Sequence, residues 1–152
     1  MIYIAHRGLL EGPNKELENS PPAIDAAIEA CRNVEIDLWV CDGKPVLGHG
    51  VGTPFYSVQW NWLRERSNNL WIHCKNIEAL VTLAEEAPAY WHYFWHQEDT
   101  VTLTSRGFIW AYPGKQPISG SIAVLPEMYR DNCLQASGIC TDYVIEYMRK
   151  YG

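Results

Sequence analysis

The run Ile2-Tyr3-Ile4-Ala5-His6-Arg7-Gly8 is apolar until it ends on a histidine, an arginine and a glycine. Further along, Asn33-Val34-Glu35-Ile36-Asp37-Leu38-Trp39-Val40 sets two carboxylates inside β-like sequence, and Val46-Leu47-Gly48-His49-Gly50 follows closely. Glu35 and Asp37 stand two apart, so a strand projects both from one face. Two histidines that can exchange protons near neutrality, an arginine fork and paired carboxylates are the parts of divalent-metal-assisted chemistry on a phosphate ester.

These residues need a frame to hold them. At 152 residues with 47% hydrophobic content, the chain predicts a single domain over residues 1–152. The net charge of −6 and the pI near 5.3 argue against a nucleic-acid partner, whose backbone asks for a basic face. A small phosphorylated substrate remains compatible, because one pocket can be basic inside an acidic protein. The five cysteines (Cys31, Cys41, Cys74, Cys133 and Cys140) form no C-x-x-C pair, and most adjoin apolar runs where a free thiol acts as a small hydrophobe. No basic leader precedes the first strand, and no apolar run approaches the ~20 residues of a membrane span. The expectation is a cytoplasmic protein with no membrane span.

Elements alternate in the first half. Ser20-Pro21-Pro22 reads as an N-cap and prolines suited to a first helical turn, and Ile24, Ala27, Ile28 and Cys31 then recur at helical spacing. Asp42-Gly43 turns the second strand into a hairpin return. Residues 57–66 read as a helix, 70–75 as a strand, and Asn76 as the cap of a helix with Ile77, Leu80, Val81 and Ala84 on one face. The second half is mostly short β-like runs at 91–95, 101–104, 108–112 and 121–125. A weak helix is expected at 127–135, a strand at 138–141, and a closing amphipathic helix on Val144, Tyr147, Met148 and Tyr151. β-α-β alternation predicts a parallel sheet. A full (β/α)₈ barrel takes ~250 residues, so a closed version here has to drop outer helices. His6, His73 and Thr141-Asp142 all fall at carboxyl ends of strands, where such folds keep their chemistry.

The order His6-Arg7-Gly8, Glu18-Asn19-Ser20, Glu35-x-Asp37, Gly48-His49 and a strand ending in Lys75 resembles the glycerophosphodiester phosphodiesterase family. Ile139-Cys140-Thr141-Asp142-Tyr143 looks like that family's last strand and its exit. The likeness is strong over residues 1–50, fair over 70–76 and 138–144, and absent between about 88 and 137. It implies an α/β fold, a reduced or distorted TIM-like (β/α) barrel with several outer helices shortened or missing. In such enzymes the substrate's own neighbouring hydroxyl attacks phosphorus, and the cyclic phosphate is then hydrolysed.

On that resemblance His6 and His49 are the catalytic acid/base pair, one taking a proton from the nucleophile and one protonating the leaving alkoxide. Arg7 binds phosphate through its planar fork, Lys75 adds a point charge, and Trp110 is a candidate for stacking on a sugar or glycerol, with core packing as its other reading. Glu35 and Asp37 are metal ligands. Glu18 stands as a metal ligand or a supporting group. The family's third strand normally ends Glu-x-Lys with the glutamate on the metal, whereas this chain reads His73-Cys74-Lys75. His73 therefore stands as the third ligand. Mg²⁺ or Ca²⁺ is the family expectation, and Mn²⁺ or Zn²⁺ is the alternative that an imidazole opens. Otherwise Glu98, Glu127 or Asp142 supplies the missing oxygen. Gly50 replaces an acid that commonly follows the second histidine, and His96 and Glu98 stand as further loop candidates.

The expected activity is metal-dependent hydrolysis of a small glycerol-, sugar- or polyol-containing phosphodiester. The alternatives are a lyase that releases the cyclic phosphate, or a phosphate-ester binding module without turnover. A homodimer could cover exposed strands.

Overall fold

The computed structural model describes residues 1–86 and 90–152. One sheet carries all ten strands described here. The strands β1 (Ile2–His6), β2 (Asn33–Cys41), β3 (Lys44–Leu47), β4 (Tyr56–Ser57) and β5 (Leu70–Cys74) belong to the first half. The strands β6 (Tyr93–Phe94), β7 (Val101–Leu103), β8 (Ile109–Ala111), β9 (Ile122–Val124) and β10 (Gly138–Thr141) belong to the second. A parallel ladder runs β6-β5-β2-β1-β10-β9-β8, with β7 antiparallel on β8. The nine-residue β2 divides one edge between two partners, pairing β1 at residues 33–35 and antiparallel β3 at 38–41.

The helices are α1 (Pro21–Cys31), α2 (Trp60–Glu65), α3 (Ile77–Glu85) and α4 (Val144–Tyr151). Ser20 caps α1 by accepting the Ala23 N–H, Pro21 and Pro22 fill its first turn, and Arg32 closes it in a left-handed conformation. Asn76 caps α3 through the Ala79 N–H and also bonds both backbone groups of Val40. That tie fixes how α3 sits on the sheet, and Ala79 and Leu83 are the residues it buries. The expected face of Ile77, Leu80, Val81 and Ala84 is corrected, since Ile77 and Val81 are exposed. The expected helix at 127–135 is only a 3₁₀ turn at Pro126–Met128, because Leu125 and Arg130 on either side adopt positive φ. Among the described residues no helix is long and apolar enough to cross a membrane, and all five cysteines are free.

The expected TIM-like barrel is not found. Among the described residues the sheet is a curled half-barrel with ten strands to four helices and no ring of helices around it. Closure requires a hydrogen-bonded ladder between the last edges. Here β6 has only two residues, and it meets the β7–β8 hairpin through separate contacts. The Ser105 N–H donates to the Tyr93 carbonyl (2.8 Å), Thr102 Oγ1 donates to the Trp95 carbonyl (3.0 Å), and His92 Nε2 lies 2.9 Å from Thr104 Oγ1.

Strand alternation makes two cores. Val34, Ile36, Leu38, Leu70 and Ile72 face outward beneath Ile24, Leu63, Leu83 and Val144 of the helices. The concave side is filled by Ile4, Trp71, Phe94, Trp110, Ile122, Val124 and Cys140. Glu35, Asp37 and His73 take the concave side as well, with Glu35 in register with Trp71 and His73 with Phe94, so the polar cluster at the mouth abuts the apolar filling.

Candidate functional site

Register assembles the mouth. His6 is the Cα partner of Glu35 across β1–β2, and Asp37 is the partner of His73 across β2–β5. His49 follows β3, Lys75 follows β5 and Asp142 follows β10. Ladders between neighbouring strands thus bring together residues far apart in sequence. His6, Glu35 and Asp37 are 8%, 2% and 1% exposed, so their charges are settled by one another more than by water.

Arg7 is the hub. Its positive φ of 53° and that of Gly8 (79°) turn the chain sharply after β1. Its backbone N–H donates to Glu35 Oε2 (3.2 Å), Nη1 donates to Glu18 Oε2 (3.2 Å), and Nη2 donates to Nδ1 of His49 (2.8 Å). Its Nε lies 3.1 Å from Asp37 Oδ2, close enough for an ion pair but too poorly aligned for a hydrogen bond. Asn19, fully buried, clamps Asp37 twice, donating from Nδ2 to Oδ2 (3.0 Å) and accepting the Asp37 N–H (2.9 Å).

One oxygen of each acid is thereby committed, and the other is left facing His73. Glu35 Oε1 lies 3.8 Å and Asp37 Oδ1 3.4 Å from His73 Nδ1. The opposite ring nitrogen, Nε2, is 2.8 Å from the His96 carbonyl, which can only accept, so Nε2 carries a proton. Nδ1 therefore faces two carboxylate oxygens. Those three atoms are compatible only with a proton or a cation among them. Glu35, Asp37 and His73 form the one cluster among the described residues with metal-holding geometry, their ligand atoms all within 4.8 Å of one another.

The two catalytic candidates have opposite tautomers, read from their partners. His6 Nδ1 sits 2.6 Å from Asp142 Oδ1, so Nδ1 donates and Nε2 presents a lone pair, 3.9 Å from Glu35 Oε2. At His49, Nδ1 accepts from Arg7, which leaves the proton on Nε2; Asp37 Oδ2 is more distant from that Nδ1, at 3.5 Å. Asp142 is held in turn by Glu127, whose Oε1 accepts the Asp142 N–H (3.2 Å) and the Thr141 hydroxyl (2.8 Å).

The ionisation pattern follows from these contacts. Burial opposes a charged His6, but the hydrogen bond to Asp142 and the nearby Glu35 outweigh it and raise its pKa. Burial, reinforced by Asp37, raises Glu35. Burial also works against charge on Asp37, yet its contacts to His49 and His73, wherever those facing nitrogens carry a proton, and the Arg7 guanidinium hold its carboxyl well below the ordinary range.

Of the sequence candidates, His6, Arg7, Glu18, Glu35, Asp37, His49, His73 and Lys75 lie in this web, with Lys75 Nζ 3.9 Å from Asp37 Oδ1. Glu18 pairs with Arg7 and stands outside the Glu35–Asp37–His73 cluster. Trp110 is not at the mouth. It is 4% exposed, 4.6 Å from Phe94 and 5.9 Å from Trp71 between ring centroids, so its stacking on a substrate is corrected to core packing. Glu127 and Asp142, raised as substitute metal acids, serve the His6 side instead. Sequence alone points neither to the Asn19 clamp, made across 18 residues, nor to the His96 carbonyl, because a backbone carbonyl has no sequence signal. Comparison of the chain with family models, curated proteins and solved structures returned no match.

Proposed function

We propose that this protein is a divalent-metal-dependent phosphodiester hydrolase acting on a small diester whose alcohol is glycerol, a sugar or a similar polyol. The observation that carries the reading is the complementary pair of histidines beside a carboxylate–imidazole cluster. Nε2 of His6 presents a lone pair that can take a proton, and His49 is the acid that can give one once its Nδ1, which now accepts from Arg7, has itself been protonated. Asp142 orients His6 and stabilises the imidazolium that forms when it accepts the nucleophile's proton. His49, with a side chain 45% exposed, can reach a leaving alkoxide at the solvent side of the mouth.

The donor set of Glu35, Asp37 and His73 fits a dication, which when bound polarises the phosphoryl oxygens and offsets their charge. Arg7 and Lys75 bring positive charge to the same place, where charge accumulates on phosphorus-bound oxygens. Burial keeps these groups ordered before substrate arrives.

The test is hydrolysis of bis(p-nitrophenyl) phosphate and of glycerophosphodiesters by metal-stripped protein, with Mg²⁺, Ca²⁺, Mn²⁺ and Zn²⁺ returned singly. His6→Ala and Glu35→Ala are the controls. Metal-dependent turnover that both substitutions abolish supports the reading. A cyclic phosphate accumulating as the end product makes the protein a lyase. Phosphate-ester binding without turnover in any metal overturns the enzyme reading in favour of a binding module.

A further inference from the structure

We propose that the Glu35–Asp37–His73 centre is built for a borderline transition dication of the Zn²⁺ or Co²⁺ kind, in preference to Mg²⁺ or Ca²⁺, and that His73 aimed by the His96 carbonyl sets this preference. The inference rests on the metal-holding part of the reading above and goes on to name the class of ion.

Three features of the donor set carry it. Each carboxylate has one oxygen already spent, Glu35 Oε2 on the Arg7 N–H and Asp37 Oδ2 on Asn19 Nδ2, so each offers a single oxygen. A centre with two single oxygens and one imidazole nitrogen is poor for Ca²⁺, which takes 6–8 oxygens. It matches the three-protein-ligand arrangement of catalytic zinc, which leaves a position for water or substrate.

His73 is also prepared as a ligand in the way metal-bound histidines are. Its far N–H is anchored to a backbone carbonyl at 2.8 Å, which fixes the tautomer. Phe94 stacks on the ring at 5.0 Å and 15°, which fixes its plane. With the ring held at both its far nitrogen and its face, Nδ1 stays aimed between two carboxylate oxygens, where a dication can replace a proton.

Charge points the same way. Arg7 Nε stands 3.1 Å from Asp37 Oδ2, and Lys75 Nζ stands 3.9 Å from Oδ1. A hard ion held by carboxylate charge alone competes with those two cations, whereas an ion that bonds well to imidazole draws on a contact they do not weaken.

The test reads binding alone and uses the full chain, stripped with chelator. Zn²⁺, Co²⁺, Mg²⁺ and Ca²⁺ are titrated singly by calorimetry and against a chromophoric competitor, for the wild type, His73→Glu and Glu35→Ala. The wild type is expected to bind one equivalent of Zn²⁺ that Glu35→Ala loses. The Zn²⁺:Mg²⁺ affinity ratio is expected to fall at least about tenfold in His73→Glu. Nitrogen-15 spectra of the wild-type histidines, which need no variant to fold, are expected to show Zn²⁺ moving the Nδ1 resonance of His73. An unchanged ratio, or Zn²⁺ shifting only His6 and His49, overturns the proposal. Hydrolysis supported by Mg²⁺ with no Zn²⁺ preference overturns it while leaving the hydrolase reading intact. Zn²⁺ bound at His73 without any hydrolysis sustains it and removes the hydrolase reading.

Discussion

The two halves of the sheet solve different problems. In the first, β1, β2 and β5 run five, nine and five residues, and α1 and α3 cover them. In the second, β6 to β9 are two or three residues long, and only α4 and a 3₁₀ turn accompany the strands. The first half supplies His6, Arg7, Glu35, Asp37, His49, His73 and Lys75, while the second supplies bulk, Phe94 and Trp110 against Trp71 of the first. Long strands buried on the outside hold ligands in register. Short strands with few helices keep the concave side dry with aromatic volume instead. What the second half adds to the mouth is support: the Asp142 carboxylate, Glu127 behind it, and the His96 carbonyl.

The sharpest way to separate the halves is substitution at one residue of each. His6→Gln keeps size and polarity but cannot cycle a proton. It is expected to lower kcat by about 10³-fold, within the range for a general acid or base, and to leave the denaturation midpoint nearly unchanged. Trp110→Ala is expected to do the reverse, costing about 3–5 kcal/mol of stability in urea titration. Turnover per folded molecule is then expected to hold within about twofold. A selective rise in KM for polyol substrates in that variant would return Trp110 to the substrate.

Acid probes the second half through His92. His92 is buried between Trp71 and Phe108, and burial, with Arg106 adding to it, pushes its pKa down to about 4. The unfolded chain takes up that proton near pH 6.5 and the folded one does not. The contribution is therefore whole above about pH 6.5 and lost as pH falls toward 4, worth about 2 kcal/mol after allowance for solvent screening. Urea midpoints at pH 7.5 and 4.5 for the wild type and His92→Asn are expected to show a smaller acid loss in the variant.

The least effect is expected where the second half reaches into the site. Glu127→Ala is expected to lower kcat about tenfold with KM unchanged, a support loss worth about 1.4 kcal/mol. Glu127→Gln, which keeps an acceptor for Thr141 and Asp142, is expected to restore most of it. Equal effects of the two would make Glu127 a structural residue only.

These halves were also unequally legible. β1, the Ser20 cap, β2, the Asp42-Gly43 turn and the Asn76 cap were readable because period and turn chemistry act locally. The rotation of α3 was not, since the two bonds from Asn76 to Val40 set it through a contact 36 residues away in sequence. At 127–135 the expected helix gave way to the left-handed residues Leu125 and Arg130, which no residue type there announces. Whether the sheet closes depended on how β6 meets the far hairpin, which no strand pattern encodes. At the site, residue types and alternation pointed to Glu35 and Asp37, and the family resemblance to His73. What became of each remaining oxygen and ring nitrogen emerged only with partners such as Asn19 and the His96 carbonyl.

The junction between Tyr93 and Ser105 has a kinetic consequence. Joined by a few separate hydrogen bonds in place of a ladder, it is expected to open locally, with its amides exchanging at a cost well below that of global unfolding in native-state hydrogen exchange. The carbonyl of His96 lies just beyond β6 at this junction, while Glu35 and Asp37 sit on β2, which is paired along both edges. Of the three donors at the centre, the imidazole is thus the one whose aim loosens first.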